Sequence, residues 1–168
     1  NKAFVFVIGY FGAEIEEYVR DSYSESVNLE FVVQSPREGL GHALWVAREA
    51  IRGSDEVLIV LGDTIFDVDL EAVLNAQYST VGVQVVDDPR KFGVAMLDDD
   101  GFIGSVVEKP RIPKSNLALV GLYRIREVNI LISALENLVE TGQRGDRNEF
   151  QLTDALQKMV SDGVRIKT

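Results

Sequence analysis

The sequence contains no cysteine, which excludes disulfide cross-links and thiolate metal sites and points to a reducing compartment. It has one histidine, His42. A metal role would need ligating partners that the chain does not supply, so His42 is expected simply at a helix N-terminus beside a loop. No apolar run approaches the ~20 residues of a bilayer span, and no signal peptide precedes Phe4. The expectation is therefore a cytoplasmic protein with no membrane partner. Basic residues are the scarcer charge, with 17 Lys and Arg against 27 Asp and Glu and a net charge of −10. Nucleic-acid backbones need clustered cations, so nucleic acid is not an expected partner, and the acidic excess describes a solvated surface. A nucleophile–base triad, a Walker loop, a zinc pattern and Gly-x-Gly-x-x-Gly are all missing. Their absence disfavours covalent catalysis.

What is present suits one domain over residues 1–168, since 46% of the chain is hydrophobic. The first half alternates. Residues 4–8 form a strand, a helix follows with Ile15, Tyr18 and Val19 on one face, and 29–33 form the next strand. Gly41 opens a helix burying Leu44, Ala47 and Ile51, and 57–61 form a third strand. This order predicts a parallel sheet with helices on both faces. The second half is strand-rich, at 80–86, 93–97, 102–107 and 117–125, with a hairpin turn at Asp98-Asp99-Asp100-Gly101. Two helices close the chain, with stripes at Val128, Leu131, Ile132, Leu135 and Val139, then at Leu152, Leu156, Met159 and Val160. Asn148 and Gln151 have the spacing of a capping box for the second. A chain that starts almost at once on a core-type strand and stops at Val164-Arg165-Ile166 looks like a piece of something longer.

Several residues can carry chemistry. Gln34 ends a strand and has both a donor and an acceptor for a base edge. The backbone from Gly39 to Gly41 can approach a ligand closely, because two positions lack a Cβ. Asp63 follows a buried strand at its carboxyl end, where open α/β sheets place ligands. It suits Mg²⁺, or equally a turn or helix cap. Asp67 and Asp69 look like the metal pair of a sugar-nucleotide-dependent glycosyltransferase, but Asp69 stands where the N-cap of a helix over 70–76 belongs. Glu108 can accept two sugar hydroxyls while Lys109 meets a phosphate. Neighbouring strand residues face opposite ways, so both reach one ligand only if the strand breaks there, which Pro110 favours. The alternative is a surface ion pair. Gly93 at a strand start is either a ligand contact or a bend. Gly121 in mid-strand marks close approach of a ligand or another backbone, and Tyr123 lies either against a sugar ring or in the core.

In this order and spacing the segments Val7-Ile8-Gly9-Tyr10, 34–43, Leu61-Gly62-Asp63-Thr64, 88–94, Glu108-Lys109-Pro110, 113–118, Val120-Gly121-Leu122-Tyr123 and 149–154 together resemble the middle of a sugar-1-phosphate nucleotidyltransferase. They are most like the glucose-1-phosphate thymidylyltransferases and related uridylyltransferases. The resemblance covers nearly the whole chain. It implies an α/β fold with a Rossmann-like, mixed, mostly parallel sheet flanked by helices, of the nucleotide-diphospho-sugar transferase type, lacking the usual first strand. It implies that Gln34, with the Gly39 and Leu40 backbone, reads a pyrimidine base and that Asp63 binds Mg²⁺ bridging the phosphates. Gly93, Glu108 and Tyr123 would hold the sugar beside the Gly121 backbone, and Lys109 would neutralise its phosphate. The partners implied are dTTP or UTP and a sugar 1-phosphate, glucose 1-phosphate foremost.

The departures carry expectations too. The family opens with a Gly-rich loop bearing an arginine and, further on, a lysine that cradle the triphosphate, and it has a second metal-binding aspartate beyond the last strand matched. Neither is in this sequence. The chain by itself is therefore expected to have little or no transferase activity. Loss of a central strand would leave unpaired edges, and a homo-oligomer is expected. Two other readings compete: a non-catalytic relative that binds nucleotide sugar, and a metal-dependent glycosyltransferase using Asp67 and Asp69.

Overall fold

The computed structural model describes residues 3–168. The chain runs β1 (Ala3–Ile8), α1 (Gly12–Tyr23), β2 (Asn28–Val33), α2 (Leu40–Val46), α3 (Arg48–Ile51), β3 (Val57–Val60) and α4 (Leu70–Asn75). It continues through β4 (Ser79–Val85), β5 (Gly93–Leu97), β6 (Ile103–Glu108), β7 (Leu117–Ile125), α5 (Val128–Thr141), α6 (Leu152–Ser161) and β8 (Ile166–Lys167). The class is the expected α/β, with a mixed sheet flanked by helices.

The share of parallel pairing is lower than expected. β1 pairs with β2, and β4 with β8, in parallel. The pairs β3–β7, β4–β7, β5–β6 and β5–β7 are antiparallel. The reason is β7, a strand buried along most of its length that runs against all three of its neighbours. β3 does not join β1 and β2, so the described strands form a two-stranded and a six-stranded sheet. α1 covers only the narrow sheet. Val19 is buried, but Ile15 and Tyr18, expected beside it on a buried face, are exposed.

The main core lies between the larger sheet and the last two helices. Leu131, Leu135 and Leu138 of α5 and Leu152, Leu156 and Met159 of α6 meet Val81, Ala95, Val106 and Ile125. α5 follows its 3.6-residue apolar stripe and stops at Gly142, whose φ of 67° lets its N–H reach the Leu138 and Val139 carbonyls. α6 is not opened by a capping box. Gln151 is its N-cap and makes no side-chain cap bond. Asn148 lies in the preceding turn with φ 59°, and the Gln151 amide instead donates to the Asp146 carbonyl at 3.0 Å. Ile51 is only half-buried, because the helical segment divides at Ala47. The Asp98–Gly101 turn forms as expected, with Gly101 at φ 72° and Asp98 Oδ1 accepting from the Phe102 N–H at 2.8 Å.

One irregularity positions the site. β4 lines one edge of β7, while β3 and β5 share the other. β3 pairs with residues 122–125 and β5 with residues 117–118. Between them, opposite residues 119–121, the sheet forks.

Candidate functional site at the fork of the sheet

Along this edge of β7 one strand ends and another begins, which leaves residues 119–121 for loops to approach. Gly121 stands here with φ 76°. Its carbonyl accepts the Leu61 N–H at 2.9 Å, and a Cβ there would lie 2.8 Å from Thr64 Oγ1 and 3.0 Å from the Leu61 side chain. Gly121 thus lets the 61–64 loop close onto β7. Asp63, at the tip of that loop, is exposed, with the Thr64 hydroxyl 3.4 Å from its Oδ1.

The other side of the fork is built from β5 and β6. Gly93 is paired with Glu108. A Cβ on Gly93 would sit 2.7 Å from Thr153 Cγ2, 3.0 Å from Leu119 Cδ1 and 3.2 Å from Glu108 Oε2. The Thr153 hydroxyl donates to Glu108 Oε2 at 3.1 Å. The strand breaks at Lys109, whose φ is 40°, so Glu108 and Lys109 turn to a common side as one shared ligand requires. Lys109 Nζ lies 3.7 Å from Glu108 Oε1 and 2.8 Å from Asp146 Oδ2. The bond to Asp146 holds the lysine above its ordinary value and the aspartate below its own. Glu108 keeps acceptor capacity on both oxygens for hydroxyl groups.

Gln34 is tied to the loop that packs on the segment before the last helix. Its Nε2 donates to the Gly39 carbonyl at 2.9 Å and lies 3.2 Å from His42 Nδ1. Gly39 and Gly41 both press on residue 150, since a Cβ on either would come within 2.8 Å of the Phe150 carbonyl oxygen. That oxygen accepts the Gly41 N–H at 2.8 Å, and Glu38 accepts the Phe150 N–H at 2.8 Å through its backbone carbonyl. Phe150 leads into α6, where Thr153 holds Glu108. Gln34 is thus linked to Phe150 through Gly39 and His42, and three residues on along the chain Thr153 meets Glu108 and Gly93; Gly93 abuts Leu119 of β7, and Gly121 of the same strand meets the 61–64 loop.

Several expectations change here. The missing Cβ atoms at Gly39, Gly93 and Gly121 make room for other parts of the chain. Gly39 also gives its carbonyl to Gln34 and to the Ala43 N–H, so that oxygen is engaged within the protein. Leu40 opens α2 and is half-buried. Tyr123 is 4% exposed and lies in the core. Burial, with the nearby Glu108 charge, pushes its hydroxyl up to about 12, which leaves it a neutral packing residue. Asp69 caps α4, accepting the Ala72 N–H at 3.0 Å, as expected of an N-cap. Local sequence does not mark Thr153, Phe150, Asp146 or His42 as site residues. The block 149–154 is the one signal available, and it points to the family and not to a role.

Among the described residues no three His, Cys, Asp or Glu groups cluster to hold a metal ion. Asp63 fits Mg²⁺ only as one carboxylate on an ion that arrives with phosphates, the usual way that ion is bound. A hollow of about 380 Å³ between Gly53–Asp55 and Arg126–Ile130 lies at the opposite end of β7 and has no part in the fork. No helix among the described residues is long and apolar enough to cross a membrane.

Comparison with known proteins agrees with this architecture. The family described as "Nucleotidyl transferase" matches residues 2–167. The bifunctional protein GlmU of Methanococcus maripaludis is 33% identical over 159 residues, covering 94% of this chain and 36% of that protein. The glucose-1-phosphate thymidylyltransferase of Streptomyces antibioticus is 30% identical over 168 residues, covering 96% and 45%. The crystal structure of a UDP-glucose pyrophosphorylase complexed with UDP-glucose superposes with a TM-score of 0.79 at 24% identity, over 99% of this chain and 72% of that one. This last likeness speaks for the fold. The chain belongs to the nucleotidyl transferase family. It spans less than half the length of these two curated relatives.

Proposed function

We propose that this chain is the base- and sugar-holding core of a sugar-1-phosphate nucleotidyltransferase. An oxygen of the sugar's phosphate attacks the α-phosphorus of dTTP or UTP in line. The new P–O bond forms as the bond to the bridging β-phosphate oxygen breaks, and pyrophosphate leaves with that electron pair. Such a step asks the protein for alignment and cancellation of charge rather than a nucleophile. Gln34 meets the base edge and Glu108, steadied by Thr153, accepts sugar hydroxyls. Lys109, paired with Asp146, faces the phosphate. Mg²⁺ held on Asp63 would supply further charge neutralisation to the phosphates.

The observation that supports this reading is the chain of contacts that links Gln34, Glu108 and the Asp63 loop through Phe150, Thr153 and β7. Calorimetric titration with UDP-glucose and dTDP-glucose in the presence of Mg²⁺ tests it. Gln34→Ala should weaken binding about tenfold, and Glu108→Ala at least as much, as expected for a lost neutral and a lost charged hydrogen bond. Unchanged affinity in both variants overturns the assignment. A pyrophosphate-release assay then separates the enzyme from a non-catalytic binder. The 168-residue chain alone is expected to bind with little or no turnover, and turnover near the rate of a complete enzyme would contradict that. The reading also carries a cytoplasmic location and self-association.

A further inference from the structure

We propose that His42 is a positioning residue that fixes the Gln34 carboxamide with its carbonyl oxygen toward the ligand, and that protonation of His42 inverts this orientation. This rests on Gln34 meeting a base. Gln34 Nε2 donates to the Gly39 carbonyl at 2.9 Å and lies 3.2 Å from His42 Nδ1. An NH₂ group only donates, so Nδ1 must accept, and the ring hydrogen must sit on Nε2. That Nε2 faces Glu38 Oε2 at 3.7 Å, beyond hydrogen-bond length but on the side where a carboxylate favours a hydrogen. Glu38 is itself held by Arg144 at 2.5 Å.

The ring has little freedom to present its nitrogens otherwise. His42 is 4% exposed and stacks with Trp45 at 5.4 Å and Phe150 at 6.2 Å between centroids. The charged groups around it are Glu38, Arg144, which also stacks on Phe150, and Arg48, which stacks on Trp45. With both amide hydrogens engaged inside the protein, Gln34 has only Oε1 left for a ligand. An acceptor there matches the N3–H of uracil or thymine and opposes the unprotonated N3 of cytosine. When acid protonates His42, Nδ1 becomes a donor facing the amide hydrogens. The carboxamide must turn over, its oxygen then lies against the Gly39 carbonyl, and the NH₂ group faces the base. The preference for uracil or thymine over cytosine is then lost.

His42 is the chain's only histidine, so its ring resonances can be read without assignment ambiguity. Long-range ¹H–¹⁵N spectra of the wild-type chain near pH 8 should show the Nε2–H tautomer, and an Nδ1–H tautomer overturns the proposal. Binding of UTP and CTP is then followed from pH 8 into acid for wild type, His42→Asn and Gln34→Ala. Wild type should favour UTP by about tenfold, the worth of one hydrogen bond, and lose that preference along the histidine's NMR titration. His42→Asn keeps an oxygen acceptor near the Nδ1 position without a titrating group. It should retain the UTP preference and lose its acid dependence, and an unchanged acid dependence overturns the proposal. If His42→Asn does not fold, the wild-type tautomer still decides. Gln34→Ala leaving UTP affinity unchanged overturns base reading by Gln34, and with it this proposal. Gln34→Ala weakening UTP while His42→Asn keeps the wild-type profile overturns the His42 role alone.

Discussion

The hydroxyl of Thr153, in the first turn of α6, donates to Oε2 of Glu108, at the end of β6, across 3.1 Å. Thr153 Cγ2 at the same time fills the space that a Gly93 side chain would take. One residue therefore steadies the Glu108 carboxylate and seals the start of β5. Thr153→Val keeps the methyl and removes the donor. Its affinity for UDP-glucose should fall severalfold by calorimetry, with a stability loss of about 1 kcal/mol. Loss of fold without a selective effect on binding would make Thr153 a packing residue only.

Gly121 is the hinge of the fork. Alanine there combines a backbone strained at φ 76° with a Cβ 2.8 Å from Thr64 Oγ1. Gly121→Ala should cost about 1–3 kcal/mol in denaturant unfolding. It should also push the Asp63 loop away and weaken the effect of Mg²⁺ on nucleotide binding. Gly53 also has a positive φ, 81°, but nothing lies within 4 Å of its Cβ position. Gly53→Ala is the matched control for strain without the clash.

Local chemistry makes part of this legible in the sequence. The Asp98–Gly101 turn, the Asp69 cap and the stripes of α5 and α6 each depend on residues within a few positions of one another. What was hidden depends on distant partners. β3 finds an antiparallel neighbour in β7, some sixty positions on, instead of a parallel one in the first sheet. Gly39 and Gly41 owe their missing Cβ atoms to Phe150, more than a hundred positions away. Asp146 and Thr153 acquire their roles only because the segment before α6 folds back over the end of β6. The capping box fails for a local reason that residue spacing alone does not reveal. Asn148 and Gln151 have the right spacing, but the turn at Arg147 and Asn148 takes positive φ values and carries Asn148 out of register.

Asp63 is exposed and makes only one long contact, with its neighbour Thr64. Asp63→Asn should therefore leave the melting temperature nearly unchanged, as surface substitutions do. The tightening of UTP binding by Mg²⁺ should disappear. Titrating nucleotide with Mg²⁺ and with chelator separates the two effects. Full Mg²⁺ dependence in the variant would exclude Asp63 as the ion's ligand.

The Lys109–Asp146 pair fixes a pH window. Asp146 is held below 3.8 in the folded chain, chiefly by its hydrogen bond from Lys109, and Lys109 is held above 10.5, chiefly by the same bond. A lowered carboxyl contributes stability above its unfolded value and loses it as pH falls through the folded one. A raised ammonium contributes below 10.5 and loses it as pH rises through its folded value. The stability difference between wild type and Asp146→Asn should therefore be flat across the neutral range, shrinking below about pH 4 and in strong alkali. It will be small, because the pair is largely exposed. Freed from Asp146, Lys109 should bind inorganic phosphate or a sugar 1-phosphate more tightly, measured by calorimetry at pH 7. Weaker binding would mean that Asp146 aims the lysine rather than competing for it.

β3 is bonded to β7 along one edge, and among the described residues its other edge has no strand partner. Leu58 and Val60 are 41% and 49% exposed on it, and Phe4 on β1 is 47% exposed. Open strand edges with apolar side chains are templates for pairing with another chain, and a charged residue on the edge suppresses this. The chain should therefore associate with itself in a concentration-dependent way in sedimentation velocity, and Val60→Lys should shift it toward monomer while leaving its far-ultraviolet circular dichroism unchanged. A synthetic strand peptide of alternating apolar and polar residues should compete with the association if the edge is where copies meet. If Val60→Lys associates as the wild type does, the contact lies elsewhere on the surface.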